Sequence, residues 1–137
     1  LAADLAATLK ADGSGLLDRL DELATAHGVH ATAGLPVRME PAARDAVVER
    51  LRARPPEGWA VDRPALDVLV LRRSTERAVI RPSGTEPKLK AYLQVVEPVS
   101  GDLPAARAAA DARLHALRAE VEAMISGPGS GGGDHRV

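Results

Sequence analysis

The segment LDVLVLRRSTERAVIRPSGTEPKLKAYLQVV spans residues 66–96 and contains three short runs rich in aliphatic side chains. The first two runs, residues 66–71 and 77–80, have the length and branched composition of strands, and the polar RRSTER segment between them predicts a hairpin turn. In the third run, polar residues alternate with Leu89, Ala91, Leu93 and Val95. This alternation is the period of a strand with one buried face, so we predict a mostly antiparallel sheet.

Helical patterns precede this segment. Leucines at every fourth position predict a helix in residues 1–10, which ends at the DGSG breaker of residues 12–15. A second predicted helix runs from Leu16 to His27, with Gly28 at the position of a left-handed C-cap. One face of this helix carries Leu16, Leu17, Leu20, Leu23 and Ala24. The segment from Val29 to Met39 lacks a helical period, so we predict a short strand or an extended segment there.

Two more helices complete the prediction. A third helix begins at Pro41, which suits a first helical turn, and continues to Ala53. Its inward-facing residues are Ala43, Val47, Val48 and Leu51. The region from Pro104 to Ile125 predicts a long helix that packs across the sheet. Its apolar stripe comprises Ala106, Ala110, Leu114, Leu117, Val121 and Ile125. The predicted fold class is therefore α+β, a mostly antiparallel sheet flanked by helices.

Composition narrows the function classes. The chain has 137 residues, which suits one domain, and a formal net charge of -1, which is too balanced for bulk attraction to nucleic acid. Aromatic residues make up 1%, namely Trp59 and Tyr92, too few for a base-stacking platform. The absence of cysteine excludes disulfides, thiolate metal sites and cysteine nucleophiles, and it fits a reducing compartment. Neither a membrane-spanning run nor a signal-peptide pattern is present, so we expect a cytoplasmic protein without nucleic-acid or membrane partners.

The chain divides into three parts by pattern. We predict a connecting helix from a preceding domain in residues 1–15, a folded domain in residues 16–125 and a disordered tail in residues 126–137. The tail is rich in Gly, Ser and Pro and cannot bury enough apolar surface to offset its ordering entropy. The helical pattern at Leu1 has no capping residue before it, so we expect a piece of a longer protein.

The polar loop RPSGTEPK, Arg81 to Lys88, carries the clearest chemical signal. The planar guanidinium of Arg81 matches phosphate oxygens bidentately, and Ser83 and Thr85 add hydroxyls on either side of Gly84. A glycine can take a positive φ that points successive N–H groups into one anion-binding concavity. Two prolines restrict the free loop, which reduces the entropy lost on binding a ligand. The loop therefore predicts an anion site.

The local charge favours the same interpretation. Residues 72–90 contain six basic and two acidic side chains, a net of +4. The alternative is that RRSTER is an ordinary solvated turn and that Arg81 pairs with Glu86, which for a Ser-Gly-Thr tripeptide alone is the more common situation. A nucleophilic Ser83 is excluded from the hypotheses, because the segment contains no histidine to act as its base.

The whole string RPSGTEPKLKAYLQVVEPV, Arg81 to Val99, resembles the phosphate-binding loop of the α-D-phosphohexomutase family, the phosphoglucomutases and phosphomannomutases. Weaker similarity extends over residues 16–122, through LLDRLDELATAHGVHAT and AARAAADARLHALRAE. The resemblance implies the C-terminal domain of these enzymes, which has a TATA-binding-protein-like fold. The stretch between Pro56 and Leu66 is shorter than the family pattern, which leaves the first sheet edge open.

The resemblance also implies a function. Members of the family are isomerases of carbohydrate metabolism that move a phosphoryl group between two oxygens of a phosphosugar, with Mg2+ as cofactor. Their phosphoserine loop, Mg2+ loop and sugar-recognition loop have no counterpart in this sequence, so we expect the chain alone to be inactive, with no catalytic residue and no metal site of its own. Its partners would be a hexose or pentose phosphate and the preceding domains of the same enzyme.

Carried over by position, the residues that bind the substrate's non-reacting phosphate are Arg81, Ser83, Gly84, Thr85, Lys88 and Lys90. Their role would be to bind and orient the substrate during the phosphoryl transfer. The alternative function is a stand-alone, non-catalytic module that binds a phosphorylated ligand.

Other candidate residues carry less weight. His27 and His30 lie at a helix end and beyond a glycine, which favours ordinary surface histidines over a shared metal. The acidic cluster of Asp18, Asp21 and Glu22 is typical of the solvated face of a helix.

Overall fold

The computed structural model describes residues 1–65 and 67–127. Within this part of the chain, four helices and five strands form an α+β fold. In chain order the elements are α1 (Ala2–Ala11), α2 (Leu16–His27), β1 (Val29–Arg38), α3 (Pro41–Ala53), β2 (Ala60–Ala65), β3 (Val68–Arg73), β4 (Glu76–Pro82), β5 (Lys88–Glu97) and α4 (Leu103–Ser126). The four predicted helices and the predicted mostly antiparallel sheet are confirmed.

The strands form one sheet in the order β1-β5-β4-β3-β2, and every neighbouring pair is antiparallel. The β3–β4 hairpin turns at Ser74 and Thr75 alone, so the two strands include most of the RRSTER segment predicted as a turn. The predicted extended segment after α2 is a ten-residue strand, β1, paired with β5 along its whole length. β2 was not predicted, because its sequence AVDRPA is mostly exposed at the sheet edge and shows no apolar alternation.

The core lies on one face of the sheet, beneath α3 and α4. The alternating residues of β5 are all buried, as predicted, and α4 presents the predicted stripe to them. Val47, Val48 and Leu51 of α3 join this core. The prediction for Ala43 is wrong: it is exposed, because it borders an open groove beside Val37 instead of packing inside.

The N-terminal helices contribute little to this core. The leucine side chains of the predicted apolar face of α2 stay between 39% and 76% exposed. Gly28 has the predicted positive φ of 90°, but its ψ of 161° is extended, so it is not a left-handed helical cap. The chain passes directly into β1 at this point, beside the backbone of Glu97 in β5.

The other side of the sheet, which we call the open face, carries polar side chains in register. Arg81 lies opposite Lys90, Val79 lies opposite Tyr92, and Arg77 lies opposite Gln94. These residues are exposed or half-buried. The loop between β4 and β5 therefore connects two strands that present cations and a phenol to the open face.

The C-terminal end of the domain is fixed by α3. The guanidinium of Arg50 donates hydrogen bonds to the carbonyl oxygens of Met124 and Ile125, in the last turn of α4. The helix continues through Ser126, and Gly127 follows as its C-cap. The remaining residues of the predicted tail lie outside the described residues.

Candidate functional site

The loop of residues 83–87 joins β4 to β5 and is closed by its own backbone. Arg81 and Pro82 still belong to β4, where they pair with Lys90 and Leu89, and Lys88 begins β5. The Ser83 amide donates to the Lys88 carbonyl at 3.0 Å, which closes the base of the loop. The strands thus set the direction in which the loop leaves the sheet.

Two residues hold the ends of this loop: Met39, which precedes α3, and Arg44, which belongs to α3. The Met39 amide donates to the Pro87 carbonyl at 3.1 Å, and the Arg44 Nη1 donates to the Ser83 carbonyl at 3.2 Å. Neither contact was predicted, because each joins residues that are far apart in the chain. The sequence around Arg44 gives no indication of a contact with the loop, because a charged residue in a helix is usually exposed.

A cleft of about 660 Å³ lies where the loop, α3 and the start of β3 meet. Its lining residues are Arg44, Asp45, Asp67, Val68, Arg81, Pro82, Ser83 and Gly84. Three of the predicted phosphate-binding residues, Arg81, Ser83 and Gly84, are therefore brought together. Ser83 lines this cleft and is only 5% exposed.

Arg81 is held at the cleft border by Tyr92. Its Nη2 donates to the Tyr92 hydroxyl at 3.1 Å, and its guanidinium carbon lies 5.3 Å from the centre of the Tyr92 ring. This hydrogen bond raises the pKa of Arg81 and lowers the pKa of Tyr92 below its usual value. Arg81 is therefore charged and is restrained by a hydrogen bond to a phenol.

The alternative pairing of Arg81 with Glu86 is not the one found. Glu86 forms an ion pair with Lys88, at 2.5 Å between Oε2 and Nζ. The hydrogen bond with Lys88 lowers the pKa of Glu86. Lys88 is therefore partly neutralised by its loop neighbour, whereas Arg81 is bonded to a neutral phenol.

The expected role of Gly84 as a residue with positive φ is wrong. Its backbone lies outside the left-handed region, and a Cβ at this position would meet no heavy atom within 4 Å. Residues other than glycine could therefore adopt the backbone conformation found at this position, because neither the backbone angle nor a close contact requires glycine.

The remaining predicted residues are not lining residues of the cleft. Thr85 is exposed on the loop, and Lys88 and Lys90 follow on β5. Lys90 lies directly opposite Arg81 in the sheet, so it adds positive charge beside the cleft instead of within it. Half of the six predicted residues therefore line the cleft, and the other half lie outside its lining.

A second cleft, of about 840 Å³, lies on the open face. Its walls include Thr32, Gly34, Arg77, Val79, Arg81 and Tyr92. Arg81 borders both clefts, so it marks the place where the loop cleft opens onto the sheet.

No metal-binding group is found among residues 1–65 and 67–127, when clusters of at least three His, Cys, Asp or Glu residues are considered. The Nδ1 of His30 lies 3.1 Å from the Gln94 side-chain amide. Asp21 forms an ion pair with Arg107, and Glu22 with Arg19. In the same described part of the chain, none of the helices is long and apolar enough to cross a membrane.

Comparison with protein-family models gives no match for this sequence, and comparison with curated protein sequences gives no significant match either.

Proposed function

We propose that this chain is the phosphate-binding domain of a cytoplasmic phosphosugar mutase similar to the phosphoglucomutases and phosphomannomutases. Its role is to hold the substrate's non-reacting phosphate while other domains of the same enzyme transfer the second phosphoryl group. The observation that carries the proposal is the short loop between β4 and β5, fixed at Ser83 and Pro87, with Arg81 and Ser83 at one cleft.

The geometry suits binding and orientation more than bond breaking. A phosphate is bound best by a guanidinium with a fixed direction, because two parallel hydrogen bonds then form with little loss of side-chain entropy. Arg81 uses one of its five N–H groups on Tyr92, which leaves donors for a ligand. Ser83 and Thr85 would add neutral hydrogen bonds, and Lys88 and Lys90 would add positive field.

The metal of the proposed enzyme belongs to its other domains. The described residues offer no cluster of ligands for Mg2+, and the loop contains carboxylate only at Glu86, which Lys88 engages. In this proposal the phosphoryl transfer and the choice of sugar fall to the preceding domains, and the expected partners are a phosphosugar and those domains, without nucleic acid or membrane.

The second candidate function is a stand-alone, non-catalytic module that binds a phosphorylated ligand. It uses the same loop and cleft but needs no other domain. The two candidates differ in what happens to the ligand: a mutase that includes this domain interconverts sugar 1-phosphates and 6-phosphates, and the module leaves them unchanged.

The proposal is tested with Arg81→Lys and Thr85→Val. Arg81→Lys keeps the charge but loses the bidentate fork, so we expect the affinity for glucose 1,6-bisphosphate to fall roughly ten- to a hundredfold. Thr85→Val removes one neutral hydroxyl and should cost less, about two- to tenfold. Affinities are measured by calorimetric titration at fixed ionic strength, with circular dichroism as the folding control.

Two results would contradict the proposal. The first is that the wild-type chain binds glucose 1,6-bisphosphate no more tightly than it binds glucose. The second is an Arg81→Lys variant with wild-type affinity beside a Thr85→Val variant that has lost binding, because the site would then not depend on the arginine.

A further inference from the structure

Arg44 is a second guanidinium at the loop cleft. Its side chain is 20% exposed, and two hydrogen bonds fix it: Nη1 to the Ser83 carbonyl at 3.2 Å and Nε to the Asp45 carboxylate at 3.1 Å. It lines the same cleft as Arg81 and reaches it from the opposite element, α3 instead of β4. A phosphate in the cleft would therefore have two arginines in the lining around it.

The donors of Arg44 are not exhausted by these contacts. A guanidinium has five N–H groups, and the two contacts use two of them. Because the side chain is already restrained, a ligand that binds the remaining donors would immobilise few additional torsions. The Ser83 carbonyl and the Asp45 carboxylate thus orient the guanidinium before a ligand arrives, and the exposed Asp45 offsets part of its charge.

The charges that line the cleft favour a role for this second cation. Two carboxylates, Asp45 and Asp67, line the cleft with the two guanidiniums, so the four side chains cancel. With Arg81 alone, the lining would be net negative and would repel a phosphate. Lys88 and Lys90 cannot replace Arg44, since they lie outside the lining.

We propose that Arg44 is a phosphate-binding residue that acts with Arg81 on one phosphate, an inference that rests on the proposed function of the loop. The ligand class is a phosphate monoester of a size that enters the cleft. Arg44 performs two tasks in this proposal: it holds the loop through Ser83 and it donates directly to the phosphate.

The test compares Arg44→Gln and Arg44→Lys with wild type, using glucose 1-phosphate as the probe and glucose as the uncharged control. Arg19→Gln is the matched variant, because it removes the same charge from α2, which does not border the cleft. We expect Arg44→Gln to lower the affinity for glucose 1-phosphate at least tenfold and Arg44→Lys to lower it less. Arg19→Gln should change this affinity less than twofold.

A direct spectroscopic readout separates binding from loop support. Wild type and Arg44→Lys are both labelled with ¹⁵N at arginine. The Nε–H resonance that is present in the wild-type spectrum and absent from that of the variant belongs to Arg44. We expect this resonance to shift with increasing glucose 1-phosphate, along the same saturation curve as that of Arg81. An Arg44 resonance that stays in place while the Arg81 resonance shifts would overturn the inference.

The outcomes distinguish this inference from the proposed function. If wild type binds glucose 1-phosphate and only the Arg81 variant loses affinity, Arg44 is not a phosphate ligand and the proposed function stands. If wild type shows no saturable binding, the proposed function itself fails. If Arg44→Gln unfolds, Arg44→Lys and the resonance shift still decide the question.

Discussion

At the scale of single residues, Tyr92 controls the position of the most important cation. It is 44% exposed, yet its hydroxyl accepts from Arg81 and its ring lies beside the guanidinium. The residues are neighbours on one face of the sheet because β4 and β5 are in register, with Arg81 opposite Lys90 and Tyr92 two pairs further along, opposite Val79. A neutral partner restrains the arginine without cancelling its charge.

We therefore predict that Tyr92→Phe weakens phosphate binding while the protein stays folded. The variant keeps the ring contact and removes the hydroxyl, so Arg81 becomes more mobile and the affinity for glucose 1-phosphate should fall about two- to tenfold. The melting temperature should change by less than about 2 °C, since the hydroxyl lies at the surface. Unchanged affinity would show that Tyr92 does not position Arg81.

The sequence predicts some of these residues and not others for a physical reason. Arg81, Ser83 and Gly84 are contiguous, so a single motif identifies them before any fold is known. Arg44 reaches Ser83 across 39 positions, and that proximity exists only after α3 packs on the sheet. Nothing in a helix of alternating charged and apolar residues distinguishes an arginine that supports a loop from one that faces solvent.

At the scale of secondary structure elements, two glycines differ in whether the backbone requires glycine at their position. Gly28 joins α2 to β1 with a φ of 90°, and a Cβ there would lie 2.9 Å from the Glu97 carbonyl oxygen. Gly84 lies in the loop outside the left-handed region, with open space around it. The first glycine is therefore required by the fold, and the second is not.

Replacing each glycine by alanine gives opposite expectations for stability. Gly28→Ala should lower the free energy of unfolding by about 1–3 kcal/mol, because the backbone strain and the close contact add together. Gly84→Ala should stay within about 0.5 kcal/mol of wild type. Urea denaturation measures both changes. A large loss for Gly84→Ala would mean that the loop takes another conformation in solution.

Elements were predictable where an apolar period marks a buried face. α3 and α4 bury residues at helical spacing, and β5 buries every second residue, so their sequences carry the information. β2 buries almost nothing and is defined by its hydrogen bonds to β3, which no local pattern reveals. The ψ of Gly28 likewise depends on the strand that follows it, because β1 must begin immediately beside β5.

At the scale of the whole molecule, an ion network ties α4 to the β3–β4 hairpin and to the start of β2. Arg73 donates to Glu76 and Glu120 and lies 4.3 Å from the centre of the Trp59 ring. Trp59 in turn donates from Nε1 to Glu120 at 3.1 Å. Arg113 of α4 adds a second bridge to Glu76. Ion pairs thus join the helix to the hairpin, and Trp59, the residue before β2, joins them through its hydrogen bond to Glu120 and its ring contact with Arg73.

This network connects the stability of the domain to pH through Glu120. The hydrogen bond from Arg73 lowers the pKa of Glu120 below its ordinary value of 4.5, against a smaller opposing effect of burial. A carboxyl group with a lowered pKa in the folded state stabilises the protein above its unfolded pKa. That contribution is lost as the pH falls through the folded value.

We predict that Glu120→Gln lowers the melting temperature by about 3 °C near pH 7, which corresponds to about 1 kcal/mol for a partly exposed, screened pair. The difference between wild type and variant should shrink as the pH falls from about 4.5 through the lower folded-state pKa of Glu120, since the wild-type carboxylate then becomes protonated and loses its charge as well. Glu122→Gln, exposed on the same helix, is the matched control and should follow the wild-type melting curve within about 1 °C. Thermal denaturation by circular dichroism from about pH 7 to about pH 3 measures all three proteins. A difference for Glu120→Gln that stayed constant over this range would mean that the carboxylate charge is not what holds α4 to the hairpin, and that Trp59 and the packing of the helix carry the contact instead.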